Sequence, residues 1–550
     1  MSGPIIHTKK INRRQFVNRL ALSGAGVGLL SYSAIRLTGW QPATNTIRVT
    51  SHNLDQKAHL IRKASAVNSP GGSPEVAIEE KVDVAIIGAG ISGLTVGYHL
   101  KKSGYENFKI FEMNTSAGGN SDYFSSADGK GSWGAHYLPI IRNDDPILKK
   151  FLIDQGIIVG EKDNLPIYNE EYLCLDPHER LLVRGHWQDS LIPDYGLDSE
   201  SARQISEFHK LTSEFKNKKG RDGKSVFSIP VDDSSQDPEF LKLDQMSFKE
   251  FLDQKKWNSE AIQWYANYAC QDDFGTSFEN TSAWAGLHYF SARNGKAANT
   301  EEQSVVTWPE GNGFLSEALQ KSIKDKIQLN SSVQNIEKTA IGFKIRIQDL
   351  SIGSMKIVEA RKVIYCLPRF TASYVINNAT KPEAAQYYPW LIAHVAVKRN
   401  CLEKNHHLSW DTVKFLEKDL GYINNHHQYL TQDKDDVLIT FYYAFTEGTA
   451  KENRTKLSTW TEATVKDFVV QHLKKYHPDI ESNMASIDYR ILGHGMISPS
   501  IDFLWSKRKQ QLPREQNGIL FAHSDMSGIS IFEEAFHQGY KTFLKLKESL

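Results

Sequence analysis

The residues whose types and spacing most directly specify chemistry are Gly88-Ala89-Gly90-Ile91-Ser92-Gly93, a G-x-G-x-x-G turn at the end of the apolar run Val82–Ile87. An amphipathic segment, Ile91 to Ser103, leaves the turn, and Lys109-Ile110-Phe111 reads as a second strand ending at Glu112, nineteen residues after Gly93. Each glycine has a separate task. Gly88 permits the tight turn, Gly90 lets the backbone approach a pyrophosphate, and Gly93 lets the helix pack close to the strand. The helix N-terminus supplies unpaired N–H groups and the positive end of a dipole to the phosphates. Glu112 stands where a carboxylate accepts both hydroxyls of a ribose. An ordinary glycine-rich turn between strand and helix leaves that acid without a role, so the spacing predicts a dinucleotide-binding unit.

The following segments indicate which dinucleotide. Ala117-Gly118-Gly119-Asn120 comes soon after Glu112, then Gly131-Ser132-Trp133-Gly134-Ala135-His136-Tyr137. Near the other end stand Asn517 to Asp525, then Gly528 to Glu534 leading into Ala535-Phe536-His537-Gln538-Gly539-Tyr540. Between them lie Thr307 to Gly313, Leu329 to Ile336 and Val363 to Pro368. Together these resemble the flavin-containing amine oxidases and their relatives, the protoporphyrinogen oxidases and carotenoid desaturases. The resemblance spans residues 81 to 550 and is closest at its two ends. It implies an α/β fold in which an FAD-binding, Rossmann-like domain is interleaved with an α+β substrate-binding domain. It also implies a cofactor shell of Gly88, Ala89, Gly90, Ile91, Ser92, Gly93, Glu112, Gly118, Gly119, Asn120, Gly134, Ala135 and His136. Val333 takes the adenine-contacting position, Ser524 and Asp525 the ribityl end. Ile531 and Phe532 open a closing helix whose N–H groups point at the flavin O2 edge. Asn120 stands where the family usually has Arg, so one phosphate or ribityl contact must come from elsewhere. No Cys follows Cys401, which excludes a cysteinyl link from the C-terminal segment, and FAD is expected to be noncovalent.

A flavin performs the hydride transfer itself and asks the protein for orientation, dryness and charge near the ring. A catalytic motif is therefore not expected. The candidate is His494, in Gly493-His494-Gly495-Met496, where an imidazole could take a proton or orient substrate at neutral pH; the alternative is a structural histidine. The pairs His406-His407 and His426-His427 are not read as a metal site, because adjacent strand residues point to opposite faces and no acid accompanies them at ligand spacing. The expected activity is removal of a hydride from a C–N or C–C bond of a small-molecule substrate, with electrons passed to O2 or a quinone. The alternatives are a desaturase or isomerase of a hydrophobic substrate, favoured by a wholly apolar cavity, and a nonenzymatic envelope flavoprotein. A carboxylate in an aromatic-lined cavity favours amines.

Asn12-Arg13-Arg14-Gln15-Phe16 followed by an uncharged run from Leu20 to Ile35 reads as a twin-arginine export signal over residues 1–40. The run is short of the roughly 20 residues that span a bilayer. The expected partner during export is the twin-arginine translocon and the expected location the periplasm, with cleavage or retention as a membrane anchor both open. Residues 41–80 read as a linker or arm, 81–150, 305–370 and 491–550 as three visits to the FAD domain, and 151–304 and 371–490 as two visits to the substrate domain. The aromatic stripe from Phe251 to Phe274 reads as helical core or cavity wall, and Ser331 to Lys362 as a β-meander. The 550 residues carry 65 basic and 65 acidic side chains, a balance that offers no field for nucleic acid. The four cysteines are widely spaced and form no C-x-x-C pair.

Overall fold

A computed structural model describes residues 47–54, 78–404, 407–429 and 435–550. The export-signal reading and His406 lie outside the described residues. Among those described, no helix is long and apolar enough to cross a membrane.

Two eight-stranded sheets organise the chain. In the first, Ile327–Gln328, Phe108–Phe111, Ile78–Ile87, Met355–Tyr365 and Ile519–Phe521 run parallel. Val84 to Ile87 are all buried, as a strand covered on both faces requires. Val84 and Ile86 pack under the helices, whereas Ala85 and Ile87 face the opposite core. Met355–Tyr365 serves two structures at once. Its early part closes an antiparallel meander with Ser331–Lys338 and Phe343–Asp349, and its later part pairs with Ile78–Ile87. In the middle meander strand Phe343, Ile345 and Ile347 are buried and Lys344 and Arg346 are not, the alternation expected from sequence.

Four helices matter for the site: α1 (Ile91–Lys102), α2 (Glu260–Phe274), α3 (Ala283–Ser291) and α4 (Phe532–Lys547). Helix α4 lies directly on α1. A Cβ on Gly539 would come 2.5 Å from the Ser92 carbonyl oxygen, and Ser92 Oγ donates to the Ala535 carbonyl at 2.7 Å.

The second sheet runs in the order Arg48–Ser51, Met484–Ser498, Gln386–Lys398, Asp436–Ala444, Tyr422–Asn424, Asp411–Lys414, Glu179–Val183, His186–Asp189. Part of the segment read as a linker is thus an edge strand, Arg48–Ser51, parallel to Met484–Ser498. The boundary drawn at 490/491 falls inside the continuous strand Met484–Ser498, which belongs to this sheet. The aromatic stripe is also interrupted. A capping box at Ser247 and Glu250 starts one short helix, Phe248–Gln254, and α2 begins only at Glu260. Lys256, at φ 61°, turns the chain between them so that Trp257 can be buried. Helix α2 ends at Gly275 in the left-handed region, where a Cβ would lie 2.6 Å from Trp390 Nε1. That tight ending sets Asp272 and Asp273 in its last turn.

The close crossing of α1 and α4 predicts that Gly539→Val lowers stability by about 1–3 kcal/mol through overpacking. Thermal denaturation checks this beside Gly160→Ala, whose added methyl meets only ordinary contacts at 3.6 Å.

Candidate active site

The site is built on two helix starts. Gly90 caps α1 with no side chain bonding the first-turn N–H groups, and the space at its Cβ position is open. Gly88 turns at φ 101°, and a Cβ on Gly93 would collide with the Gly88 carbonyl. Ala89 links the turn to its surroundings. Its N–H donates to Glu112 Oε2 at 2.8 Å, and its carbonyl accepts from the Gly118 N–H at 2.8 Å. Glu112 Oε1 accepts from the Asn114 N–H at 2.9 Å, so each carboxylate oxygen is fixed and keeps a lone pair for a hydroxyl. Burial raises this carboxyl above its usual range. Gly118 and Gly119 take φ values of 133° and 62°, which lay the second turn against Gly90. Ile91 is buried in the helical core, and Ser92 ties α1 to α4.

Helix α4 begins at Ile531, again without a side-chain cap. Its first turn opens into a cavity where Ser530, Ile531, Phe532 and Glu533 meet Asn120, Gly134, Ala135 and His136. Asn120 Nδ2 donates to the Gly495 carbonyl at 2.7 Å, joining the cofactor turn to the second sheet. A Cβ on Gly134 would lie 2.6 Å from the Asn120 carbonyl oxygen, so that segment fits only as glycine. Two uncapped N-termini, a fixed carboxylate and close backbone approach suit an extended dinucleotide, phosphates at α1 and an electron-rich ring edge at α4.

His136 lines the cavity with its ring 5.2 Å from Tyr442 and 5.5 Å from Trp410. Burial pulls its pKa down to about 4, so the imidazole is neutral at physiological pH. The other predicted residues are placed differently. Val333 is buried at a bulge in Ser331–Lys338 and does not line the cavity, and Ser524 Oγ lies 3.1 Å from Ser530 Oγ. Asp525 is turned into the protein, accepting from the Arg369 N–H at 2.8 Å and the Tyr387 hydroxyl at 2.6 Å, with His523 Nδ1 at 3.1 Å. Burial pushes this carboxyl up, but His523 and those donors outweigh it and hold it below its ordinary value.

His494 is not brought to the cavity. It is exposed and stacks on Phe370 at 4.3 Å, while its neighbours Gly495 and Met496 line the cavity. Pairing along Gln386–Lys398 jumps from Trp390↔Leu492 to Tyr388↔Met496. Pro389, with no N–H to offer, therefore faces a three-residue bulge that swings His494 outward. His426 and His427 each set Nε2 against a carbonyl, Asp128 at 2.7 Å and Leu175 at 2.6 Å.

The charged lining was not identified from sequence. Asp272, Asp273, Arg293 and Glu533 share the cavity with Trp390 and Tyr442. Arg293 Nη2 meets Asp273 at 2.5 Å, Nη1 donates to the Tyr137 hydroxyl at 3.0 Å, and the guanidinium lies over Tyr289. Burial, then the neighbouring Asp273, raise Asp272 to about 7, and burial also raises Glu533. The pair Asp272-Asp273 stands at the end of the aromatic stripe, but only the packing of α2 against the second sheet decides which way it faces. Among the described residues one cluster, Glu417, Asp419 and His472, none of it in the cavity lining, has metal-ligand geometry. Lys475 at 2.5 Å, Lys414 at 3.1 Å and the Tyr476 hydroxyl already occupy its carboxylates.

A family model described as an NAD(P)-binding Rossmann-like domain matches residues 86–153. The chain is similar in fold to a putrescine oxidase solved with putrescine bound, at 15% identity and TM-score 0.62, covering 85% of this chain and 99% of that one. It is also similar to cyclohexylamine oxidase from Brevibacterium oxydans IH-35A, at 16% identity and TM-score 0.60, covering 85% and 99%. An oxidoreductase from Methanosarcina mazei matches at 14% identity and TM-score 0.56, covering 84% and 99%. These likenesses establish the α/β fold with its Rossmann-like unit.

Glu112→Ala is expected to weaken dinucleotide binding by about 1.5–3 kcal/mol, the value of a charge-assisted hydrogen bond, as read by FAD titration of the apoprotein. His494→Ala is expected to leave both cofactor content and the rate of cofactor reduction within about twofold, since surface substitutions of this kind cost little.

Proposed function

We propose that this chain is an exported, FAD-dependent oxidoreductase that takes a hydride from the C–N bond of a small amine and passes the electrons to O2 or a quinone. The observation that carries the reading is the cavity lining: carboxylates set among Trp390, Tyr442 and Tyr137, beside the Gly134–His136 segment and the start of α4. An ammonium ion is the natural occupant of such a lining, through charge and through ring faces. A wholly apolar substrate would leave Asp272 and Glu533 desolvated and unpaired, which disfavours the desaturase reading.

Noncovalent FAD supplies the hydride acceptor when bound. The chain's own residues do the rest. The open N–H groups of α1 and the carboxylate of Glu112 hold the nucleotide half. The backbone of Gly134 and Ala135 and the first turn of α4 hold the ring half and favour negative charge there. Trp390, Ile392, Leu492 and Met496 keep water from the reacting bond. His136 is neutral and can accept a proton. Asp273 and the Tyr137 hydroxyl fix Arg293, so that it does not swing across the cavity. The likeness to amine oxidases of the same fold supports the choice of C–N over C–C chemistry.

The deciding experiment is anaerobic mixing of the purified, yellow protein with a panel of amines, alcohols and polyunsaturated hydrocarbons. Bleaching of the flavin by amines alone is expected, with FAD released intact by acid precipitation. Flavin that no small-molecule donor reduces would mean a nonenzymatic role.

The cavity's pH dependence follows from Asp272. Its carboxyl, raised to about 7, is charged above that pH and neutral below it. Asp273 and Arg293 face it from α2 and the end of α3, and Glu179 and Asp411 from the second sheet. A quaternary ammonium ligand keeps its charge at every pH, so its Kd is expected to rise on acidification below neutrality, by up to about tenfold per pH unit. Flavin-absorbance titrations across that range check the direction.

Export is read from Arg13, Arg14 and the uncharged run behind them. A twin-arginine route carries folded proteins, which suits an enzyme that must take up FAD before leaving the cytoplasm. Replacing both arginines by lysine keeps the charge and removes the paired guanidinium groups. FAD-loaded protein is then expected to stay in the cytoplasmic fraction, and unchanged periplasmic recovery overturns the targeting proposal.

A further inference from the structure

The substrate cavity has a neighbour. A second cleft lies along α4, with Arg142, Asp145, Ser228, His537 and Lys541 in its lining. Three elements contribute to the wall between cavity and cleft. On α4, Glu533 lines the cavity and His537, one helical turn on, lines the cleft. Just after Tyr137, Pro139 faces the cavity and Arg142 the cleft. Beyond the end of α3, Arg293 faces the cavity, while His288 within α3 sets Nε2 2.9 Å from the carbonyl oxygen of Ser228 in the cleft lining.

Along α4 the wall is one turn deep. Residues four apart on a helix have Cβ atoms about 5–6 Å from each other, and helical side chains lean toward the N-terminus. The His537 ring therefore leans back over the turn that carries Glu533. Both residues are buried, as is Asp145. His537 Nε2 lies 2.6 Å from Asp145 Oδ2, and Asp145 Oδ1 accepts from the Leu148 N–H at 3.0 Å, capping the helix Pro146–Asp154. In a closed core such a pair would be only a brace. Here it has an acid of the cavity on one side and an open cleft on the other.

The cavity's chemistry gives the pair a task. An alkylamine is mostly an ammonium ion at neutral pH, and its carbon cannot release a hydride until that proton has gone. Trp390, Ile392, Leu492 and Met496 keep water from the reacting bond, so the proton requires a route. His136 can take it, but no charged group acts on that imidazole, and Tyr137, Trp410 and Tyr442 surround it. Glu533 is placed differently. Burial raises its carboxyl, Arg293 opposes that, and Asp273 and His537 also act on it. The groups acting on His537 are Asp145, Glu533 and Glu534, with Arg142 and Lys541 in the same cleft. Burial makes the carboxylate a stronger base and the ammonium a stronger acid, which favours transfer between them.

We infer that Glu533, His537 and Asp145 form a proton passage between the substrate cavity and the second cleft. The inference rests on the amine reading given above and adds the path by which the substrate becomes reactive. The ammonium N–H bond breaks and its proton passes to a carboxylate oxygen of Glu533, leaving the neutral amine. The proton then moves, directly or through one water, to His537, whose imidazolium the Asp145 carboxylate steadies, and from there to water in the cleft. No electron moves in these steps. Glu533 touches the substrate; His537 and Asp145 act through it as positioning residues.

The test uses the FAD-loaded full chain and follows anaerobic bleaching of the flavin by butylamine and by 2,2,2-trifluoroethylamine. The first arrives charged at neutral pH and needs the passage; the second arrives mostly neutral and does not. His537→Gln keeps a donor for Asp145 but carries no proton. It is expected to slow bleaching by butylamine about 10- to 100-fold, the lower part of what a positioned proton carrier contributes. Bleaching by trifluoroethylamine, flavin content and thermal midpoint are expected to stay close to wild type. At saturating butylamine the acid limb of the rate is expected to move to higher pH. Asp145→Asn keeps the helix cap and is expected to slow butylamine in part. Added imidazole is expected to restore part of the rate of His537→Ala, which a packing defect would not show. Equal effects of His537→Gln on the two amines, or none on either, overturn the passage and leave the amine reading standing. If no amine bleaches the flavin, the oxidase reading falls, and the passage is read from O2 oxidation of the photoreduced protein, which consumes protons. Slowing by His537→Gln with imidazole rescue of His537→Ala then keeps the passage, and an unchanged rate overturns it. Should His537→Gln fail to fold, Asp145→Asn with the same two amines decides the matter.

Discussion

The contact on which the site depends is the crossing of α1 and α4. The two helices begin at opposite halves of the site, one at the G-x-G-x-x-G turn and the other at the cavity, and neither start is capped by a side chain. Open helix starts are useful only if they are held rigidly at a set distance. Gly539 allows α4 to approach the backbone of α1 at Ser92, and the Ser92–Ala535 hydrogen bond fixes the sliding register. Phe536 and Phe543 fill the remaining space within the same buried cluster as Leu94 and Ile86. The distance between the nucleotide half and the ring half is thus set by one close helix crossing over the parallel strands, at the carboxyl edge where ligands of such sheets bind.

A second constraint joins the two sheets. Asn120 reaches from the cofactor turn to the Gly495 carbonyl, and Arg490, stacked 4.3 Å over Trp133, extends toward Asp122 at 3.5 Å. Both partners on the far side belong to Met484–Ser498, so one strand lines the cavity with Leu492, Gly495 and Met496 and also grips the Gly118–Asp122 turn. The edge strand Arg48–Ser51 braces it, with His52 Nε2 3.0 Å from Asp488 and the Asn53 side chain accepting from the Ile491 N–H. The bulge opposite Pro389 falls in this strand and presents Gly495 and Met496 to the cavity.

The electrostatics of the cavity come from three helices that end or begin beside it. The left-handed Gly275, packed against Trp390, ends α2 just after Phe274, so Asp272 and Asp273 stand in its last turn and line the cavity. Arg293 at the end of α3 then neutralises one acid and leaves the other to the tyrosines and Asp411.

The sequence by itself determined the nucleotide unit and the meander, because both rest on local rules. Glycines at fixed offsets, a buried apolar strand and a strict alternation of two need no distant partner to be read, and Ile91–Lys102, Phe108–Phe111 and Phe343–Asp349 form where those patterns place them. That Asn120, Gly134, Ala135, His136, Ile531 and Phe532 gather at one cavity was foreshadowed by the family resemblance of short segments at both ends of the chain. Tertiary structure alone decided the substrate side. Whether His494 faces in or out depends on a bulge forced by Pro389, a residue 105 positions away in sequence. Asp525 is spent on Arg369 and Tyr387, which come from other segments. The charge of the cavity is the sum of Asp272, Asp273, Arg293 and Glu533, brought together from α2, the end of α3 and α4. Side-chain direction and the balance of buried charge are properties of packing between distant elements, and no local pattern encodes them.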